Sequence, residues 1–144
     1  MWFRTGLLLS AAIAAVTLTG CANVTTGKAL ASFDTKPTEV CIVRNPKVRI
    51  NAAIPSLQSA FRKRGIATTV VEAPSDCKSE YRLNYVMRRS WDFTTYLGAG
   101  ELTLLRNDAI VSTSSYKAGS LTLTKWGKTE ERIDEMVGKL LGEP

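Results

Sequence analysis

Tyr81-Arg82-Leu83-Asn84-Tyr85-Val86-Met87-Arg88 is the stretch that decides the fold. Tyr81, Leu83, Tyr85 and Met87 alternate with Arg82, Asn84 and Arg88, the two-residue period of a strand with one face buried and the other in water. A sheet built around such a strand needs cover on one side only. A turn around Trp91-Asp92-Phe93-Thr94 leads to a second strand expected from about Thr95 to Leu105, and a third returns over Ile110 to Ala118. Asn107-Asp108 between them tolerates the positive φ of a tight hairpin, so the three form an antiparallel meander.

Upstream, Glu39-Val40-Cys41-Ile42-Val43-Arg44 is rich in β-branched residues and stops at Asn45-Pro46, which marks a first strand. Ile54, Leu57 and Phe61 then recur at helical spacing opposite Ser56, Gln58, Arg62 and Lys63, with Asn51 as the candidate cap. Pro55 fits the first turn of that helix. The run Arg62-Lys63-Arg64 suits the negative end of its dipole before Gly65 stops it. Ile66 to Glu72 is β-rich again, which completes a βαβ unit, and Ala73-Pro74-Ser75-Asp76 turns the chain back. At the far end Thr129-Glu130-Glu131 starts a helix whose Ile133, Met136, Val137, Leu140 and Leu141 share one face, and Gly142 ends it. The order β-α-β-β-β-β-α, with two one-sided helices, predicts one α+β domain over residues 39–144: a single sheet with both helices packed on one face.

The first 38 residues are of another kind. Arg4, the apolar run from Leu7 to Leu18 and the small residues after it have the three parts of an export signal over residues 1–20. The run is too short to cross a bilayer comfortably. Leu18-Thr19-Gly20-Cys21 resembles the lipobox of bacterial lipoproteins, which implies cleavage before Cys21 and acylation of its thiol. Typical triple acylation implies lasting attachment, since a single chain binds only marginally. Ala22 in place of an aspartate points, by the same resemblance, to the outer membrane, with the domain facing the periplasm. Residues 21–38 have no periodicity and are expected to be the lipidated cysteine and a flexible tether. Loss of Arg4 leaves 18 basic against 13 acidic residues. That balance favours anionic neighbours in the envelope, and export excludes nucleic acid as a partner.

With Cys21 set aside, Cys41 and Cys77 are an even pair in an oxidising setting and are expected to form a disulfide, the alternative being two buried thiols. The chain has no histidine, so two cysteines make no closed metal shell. No G-x-S-x-G or S-x-x-K motif is present, and Gly98-Ala99-Gly100 lies in a strand pattern without a following helix. Asp92 and Glu101 are two acids on neighbouring elements without the marks of a glycosidase pair. Neither catalytic residues nor a cofactor or metal are implied.

Ser90-Trp91-Asp92-Phe93-Thr94-Thr95-Tyr96 gathers three aromatics around one acid beside Arg88 and Arg89. This motif, the Asn45-Pro46-Lys47-Val48 stretch, the placing of Cys41 and Cys77, Tyr116-Lys117-Ala118-Gly119 and the closing Thr129-Glu130-Glu131 helix resemble a family of small Gram-negative lipoproteins of unknown function. The likeness runs from Val40 to Leu141 and implies a fold without a mechanism. Members often carry an aromatic where Arg89 and Ser90 stand here. The plainer expectation is that Trp91 and Phe93 plug one end of the sheet while Asp92 accepts backbone hydrogen bonds. The alternative is a recognition surface of Arg88, Arg89, Trp91, Asp92 and Tyr96. Two noncatalytic roles follow: an interaction module at the inner face of the outer membrane, binding an envelope protein or anionic polymer, or an accessory lipoprotein that activates an envelope-assembly or cell-wall machine.

Overall fold

The computed structural model describes residues 23–28, 36–119 and 127–144. The expected export signal over residues 1–20 and the expected lipidation site Cys21 lie outside these residues. In chain order the elements are β1 (Asn23–Lys28), β2 (Glu39–Val43), α1 (Ala53–Lys63), β3 (Ala67–Val71), a 3-10 turn at Pro74–Asp76, β4 (Tyr81–Asp92), β5 (Thr94–Arg106), β6 (Ala109–Lys117) and α2 (Thr129–Leu140). The strands form one sheet in the order β1-β6-β5-β4-β2-β3. The fold is α+β, with α1 and α2 side by side on one face. Leu57 and Phe61 of α1 and Ile133, Met136, Val137 and Leu140 of α2 share a single core with Val40, Ile42, Leu83, Tyr85, Leu102 and Leu104 of the sheet. Gly65 and Gly142, at φ 74° and 81°, end the two helices in the left-handed conformation that a glycine adopts without strain. Among the described residues no helix is long and apolar enough to cross a membrane.

β2 and β3 pair in parallel, and β2 also pairs in parallel with β4. The chain thus leaves β2 for the sheet edge through α1 and then returns past β2 to reach β4. Right-handed crossovers in opposite directions must use opposite faces of a sheet. α1 occupies the inner face, and the return segment lies across the outer one. Cys41 marks the place: Val40 and Ile42 face the core, whereas Cys41, only 1% exposed, points the other way and bonds Cys77 of the return segment. The bridge joins positions 36 apart, a closure that disfavours the unfolded chain by about 4 kcal/mol in the entropic treatment.

Two expectations need correction. Residues 21–38 are not a tether throughout, because Asn23–Lys28 forms β1 and pairs antiparallel with β6. The open edge of β6 supplies hydrogen-bond partners that a polar run, with no pattern of its own, can use. Asn51 is not the cap of α1. The cap position is Ala52, with no side-chain bond, and the Ala53 amide donates instead to the Ile50 carbonyl at 2.9 Å.

The basic run ending α1 does more than meet the dipole. Arg64 donates to Glu143 through Nε and Nη2 at 2.8 and 2.9 Å, and through Nη1 to Asp134 at 3.0 Å and the Ala60 carbonyl at 2.9 Å. Its side chain is 13% exposed, so this fork clamps α1 to α2 from a largely desolvated position. Gly138 makes room for it, since a Cβ there would stand 2.8 Å from Arg64 Nη2. Burial alone pushes the Asp134 carboxyl up, but the Arg64 hydrogen bond, reinforced by Arg64 charge and by Lys63, holds it below the usual carboxylate range. A depressed carboxylate contributes stability above its unfolded value, near 4, and loses it as pH falls through the folded value. Replacing Arg64 with Met is therefore expected to cost about 2 kcal/mol at neutral pH, with the cost shrinking below about pH 4, as read by urea unfolding at both pH values. An equal cost at pH 7 and pH 3 would show that packing, not the ion pairs, accounts for the loss.

Candidate functional site

β4 and β5 pair along their whole lengths, from Tyr81 opposite Arg106 to Asp92 opposite Thr94. Their neighbours do not follow them that far. β6 ends at Lys117, which pairs with Ala99, which in turn faces Arg88. On the other side β2 stops at Val43, and the Asn45 amide side chain donates to the Tyr85 carbonyl at 2.9 Å. From the Arg89–Leu97 pair, whose Leu97 is still buried, the strands therefore project as a two-stranded finger, roughly 15 Å beyond the last sheet neighbour among the described residues.

The finger begins at an irregularity. Arg88 faces Ala99 but Arg89 faces Leu97, so Gly98 is the extra residue of a β-bulge. A Cβ on Gly98 would overlap the Ser90 side chain, which is why this position takes glycine. At the apex, Phe93 has φ 60°, the left-handed conformation that closes the hairpin after Asp92. Phenylalanine is an uncommon residue there, and its ring is held outward: Phe93 is 90% and Trp91 75% exposed.

This overturns the expectation that Trp91 and Phe93 plug the sheet. The buried stripe Tyr81, Leu83, Tyr85, Met87 continues by alternation through Arg89 to Trp91, but the core no longer reaches those positions. Arg88 and Arg89 are exposed, and among the described residues neither has an acidic partner. Asp92 and Tyr96 are half-buried. The residues of the expected surface lie on this one strand pair but on two faces: by alternation Arg89 and Trp91 continue the inner face of β4, whereas Arg88 and Asp92, with Tyr96 opposite Ser90, lie on the outer one, and Phe93 stands at the tip. The signal for Phe93 was its place between two alternating runs, where a turn apex must fall. Trp91 and Tyr96 sit in the strands beside the turn and not within it.

The remaining outer face is polar. A shallow groove there is lined by Val86, Arg88, Ala99, Glu101, Ser115 and Lys117. Glu101 faces Val86, whereas Asp92 lies six residues further along β4, roughly 20 Å away. That separation is well beyond the spacing of a carboxylate pair acting on one bond. A second hollow, between Arg44 to Pro55 and Tyr85, holds Arg44 paired with Glu72 at 2.8 Å. Among the described residues no three His, Cys, Asp or Glu side chains gather to hold a metal ion.

No family model matches the chain, and no curated protein matches its sequence. Solved structures do share the fold. The PelC dodecamer from Paraburkholderia phytofirmans is 15% identical, with a TM-score of 0.56 over 83% of this chain and 96% of that one. A point variant of the same dodecamer, in another crystal form, is 16% identical with a TM-score of 0.52 over 83% and 95%. At such identity the likeness is one of fold.

The exposure of Trp91 has a direct check. Acrylamide should quench the component of tryptophan emission that Trp91→Ser removes, and the same substitution should shift unfolding stability by no more than about 0.5 kcal/mol. A protected signal, or a loss of several kcal/mol, would restore the plug.

Proposed function

We propose that this chain is a noncatalytic, lipid-anchored interaction module of the Gram-negative envelope, held by Cys21 in the outer membrane and facing the periplasm. The observation that carries the reading is the finger. A body with a core of its own holds two large aromatic rings outside it, on a strand pair that extends past its neighbours among the described residues. Exposure of that kind marks a recognition surface. Arg88 and Arg89 beside the rings give it a preference for anionic partners, such as envelope polymer, an acidic protein surface or a membrane. The lipobox resemblance supplies the address, and the likeness to small Gram-negative lipoproteins of unknown function agrees with it.

Anchoring is tested by replacing Cys21 with Ser in cells grown with labelled palmitate. Loss of label and release from, or failed maturation in, the membrane fraction is expected; unchanged label and membrane recovery would refute the assignment.

A second reading, as an accessory subunit of an envelope-assembly machine, has one observation in its favour. β3 (Ala67–Val71) is an edge strand of Ala, Thr and Val with neither charge nor proline to protect it. Open edges invite pairing between copies, and the solved structures that share the fold are dodecamers. Sedimentation of the detergent-solubilised chain tests this observation: a discrete oligomer that Thr68→Pro dissolves favours the subunit reading, and a monomer takes away its support from the open edge.

A further inference from the structure

The two ends of the proposed module can be related through strand register. Asn23, the first residue of β1, faces Lys117 of β6; Lys117 faces Ala99 of β5; Ala99 faces Arg88 of β4. These four residues form one row across the sheet. From that row β4 runs on into the finger, while β1, antiparallel to β6, runs the opposite way toward Lys28. The chain preceding Asn23 therefore enters at the very end of the sheet from which the finger leaves. Cys21 is two residues upstream, so its Cα lies within about 7 Å of Asn23 by covalent reach alone. An acyl chain on that thiol would place this end of the sheet, and not its sides or its far end, against the bilayer.

What the protein shows at that end fits a bilayer surface. Trp91 and Phe93 are the most exposed of the large apolar side chains among the described residues, at 75% and 90%, and they stand at the tip. Arg88 and Arg89 follow immediately behind them, exposed and without acidic partners among the described residues. Aromatic rings ahead and cations behind is the order in which a headgroup layer is met from water, with rings at the glycerol level and guanidinium groups among the phosphates. The loop after β2 leaves from the same end, because β2 is parallel to β4, and it adds exposed Lys47 and Arg49. Asp92, the acid at the tip, is half-buried and already engaged by another group of the protein. A polymer chain would need a groove with rings along its length, whereas here the rings crown a narrow tip.

We infer that the β4–β5 finger is a membrane-docking element, inserting Trp91 and Phe93 into the headgroup region of the leaflet that holds the lipid on Cys21, with Arg88 and Arg89 on lipid phosphates. The inference rests on the anchored reading above and names the partner of the same surface. Anchor and finger together hold the body at two points, which fixes its tilt and directs the outer-face groove along the membrane plane.

The experiment uses the chain made with its own signal in a Gram-negative host and reconstituted into vesicles of phosphatidylethanolamine and phosphatidylglycerol. Flotation reads the anchor; quenching by lipids brominated high on the acyl chain, taken as the difference between wild type and Trp91→Ser, reads the tip. Docking predicts that roughly half or more of the Trp91 emission is lost to these lipids, and that the double change Arg88→Gln and Arg89→Gln at least halves that loss. Phe93→Asn, which keeps the left-handed apex while removing the ring, should weaken it as well. A chain that floats with Trp91 unquenched and open to acrylamide overturns docking and leaves the anchor standing. Quenching without flotation upholds docking and removes the anchor, and the absence of both overturns the two together. Protection of Trp91 only when envelope polymer or a periplasmic extract is added assigns the finger to another partner and overturns the inference.

Discussion

A helix gains about 1.5 Å per residue and a strand about 3.3 Å, and this mismatch governs the molecule. α1 and α2 have 11 and 12 residues, so each covers about 17 Å of sheet; β4 and β5 have 12 and 13, so each runs about 40 Å. Two helices of this size cannot roof two strands of that length. The core is therefore placed over the first half of β4 and the second half of β5. Among the described residues nothing roofs the strands beyond Met87 and before Leu97, and Arg89 and Trp91, which continue the inward stripe, are exposed.

The clamps of the body serve the roofed half. Arg64 fixes the ends of α1 and α2 to each other at the end away from the finger, and Asn45 ties the loop after β2 to β4 at Tyr85. Gly100 lets α2 lie close, since a Cβ there would stand 3.1 Å from the Met136 methyl. Gly98, two residues before it, does the opposite task by bulging β5 where the roof ends. The rigid part and the projecting part thus meet within three residues.

The same boundary explains what could be read from the sequence. Tyr81 to Met87 declared its burial because the two faces of the strand meet different solvents, and the faces of α1 and α2 did so for the same reason. Cys41 and Cys77 were paired by elimination and by compartment. β1 was illegible because Val24, which packs against the core, is the single apolar residue of Asn23–Lys28 and leaves no alternation to read; its strand is made by the vacant edge of β6, which is a property of the other end of the chain. Trp91 misled for a related reason. Its composition and its phase along β4 both say inside, and only the lengths of elements far away in sequence say that the inside has already ended.

The bridge between Cys41 and Cys77 has one more consequence. It holds the return segment flat against the outer face, where no helix packs over it, so a share of the cohesion of the body is supplied by an oxidation and not by burial. A chain kept under reducing conditions lacks that share. It is looser for that reason alone, and the redox state of its surroundings, more than any change in packing, sets how firmly the return segment is held to the sheet.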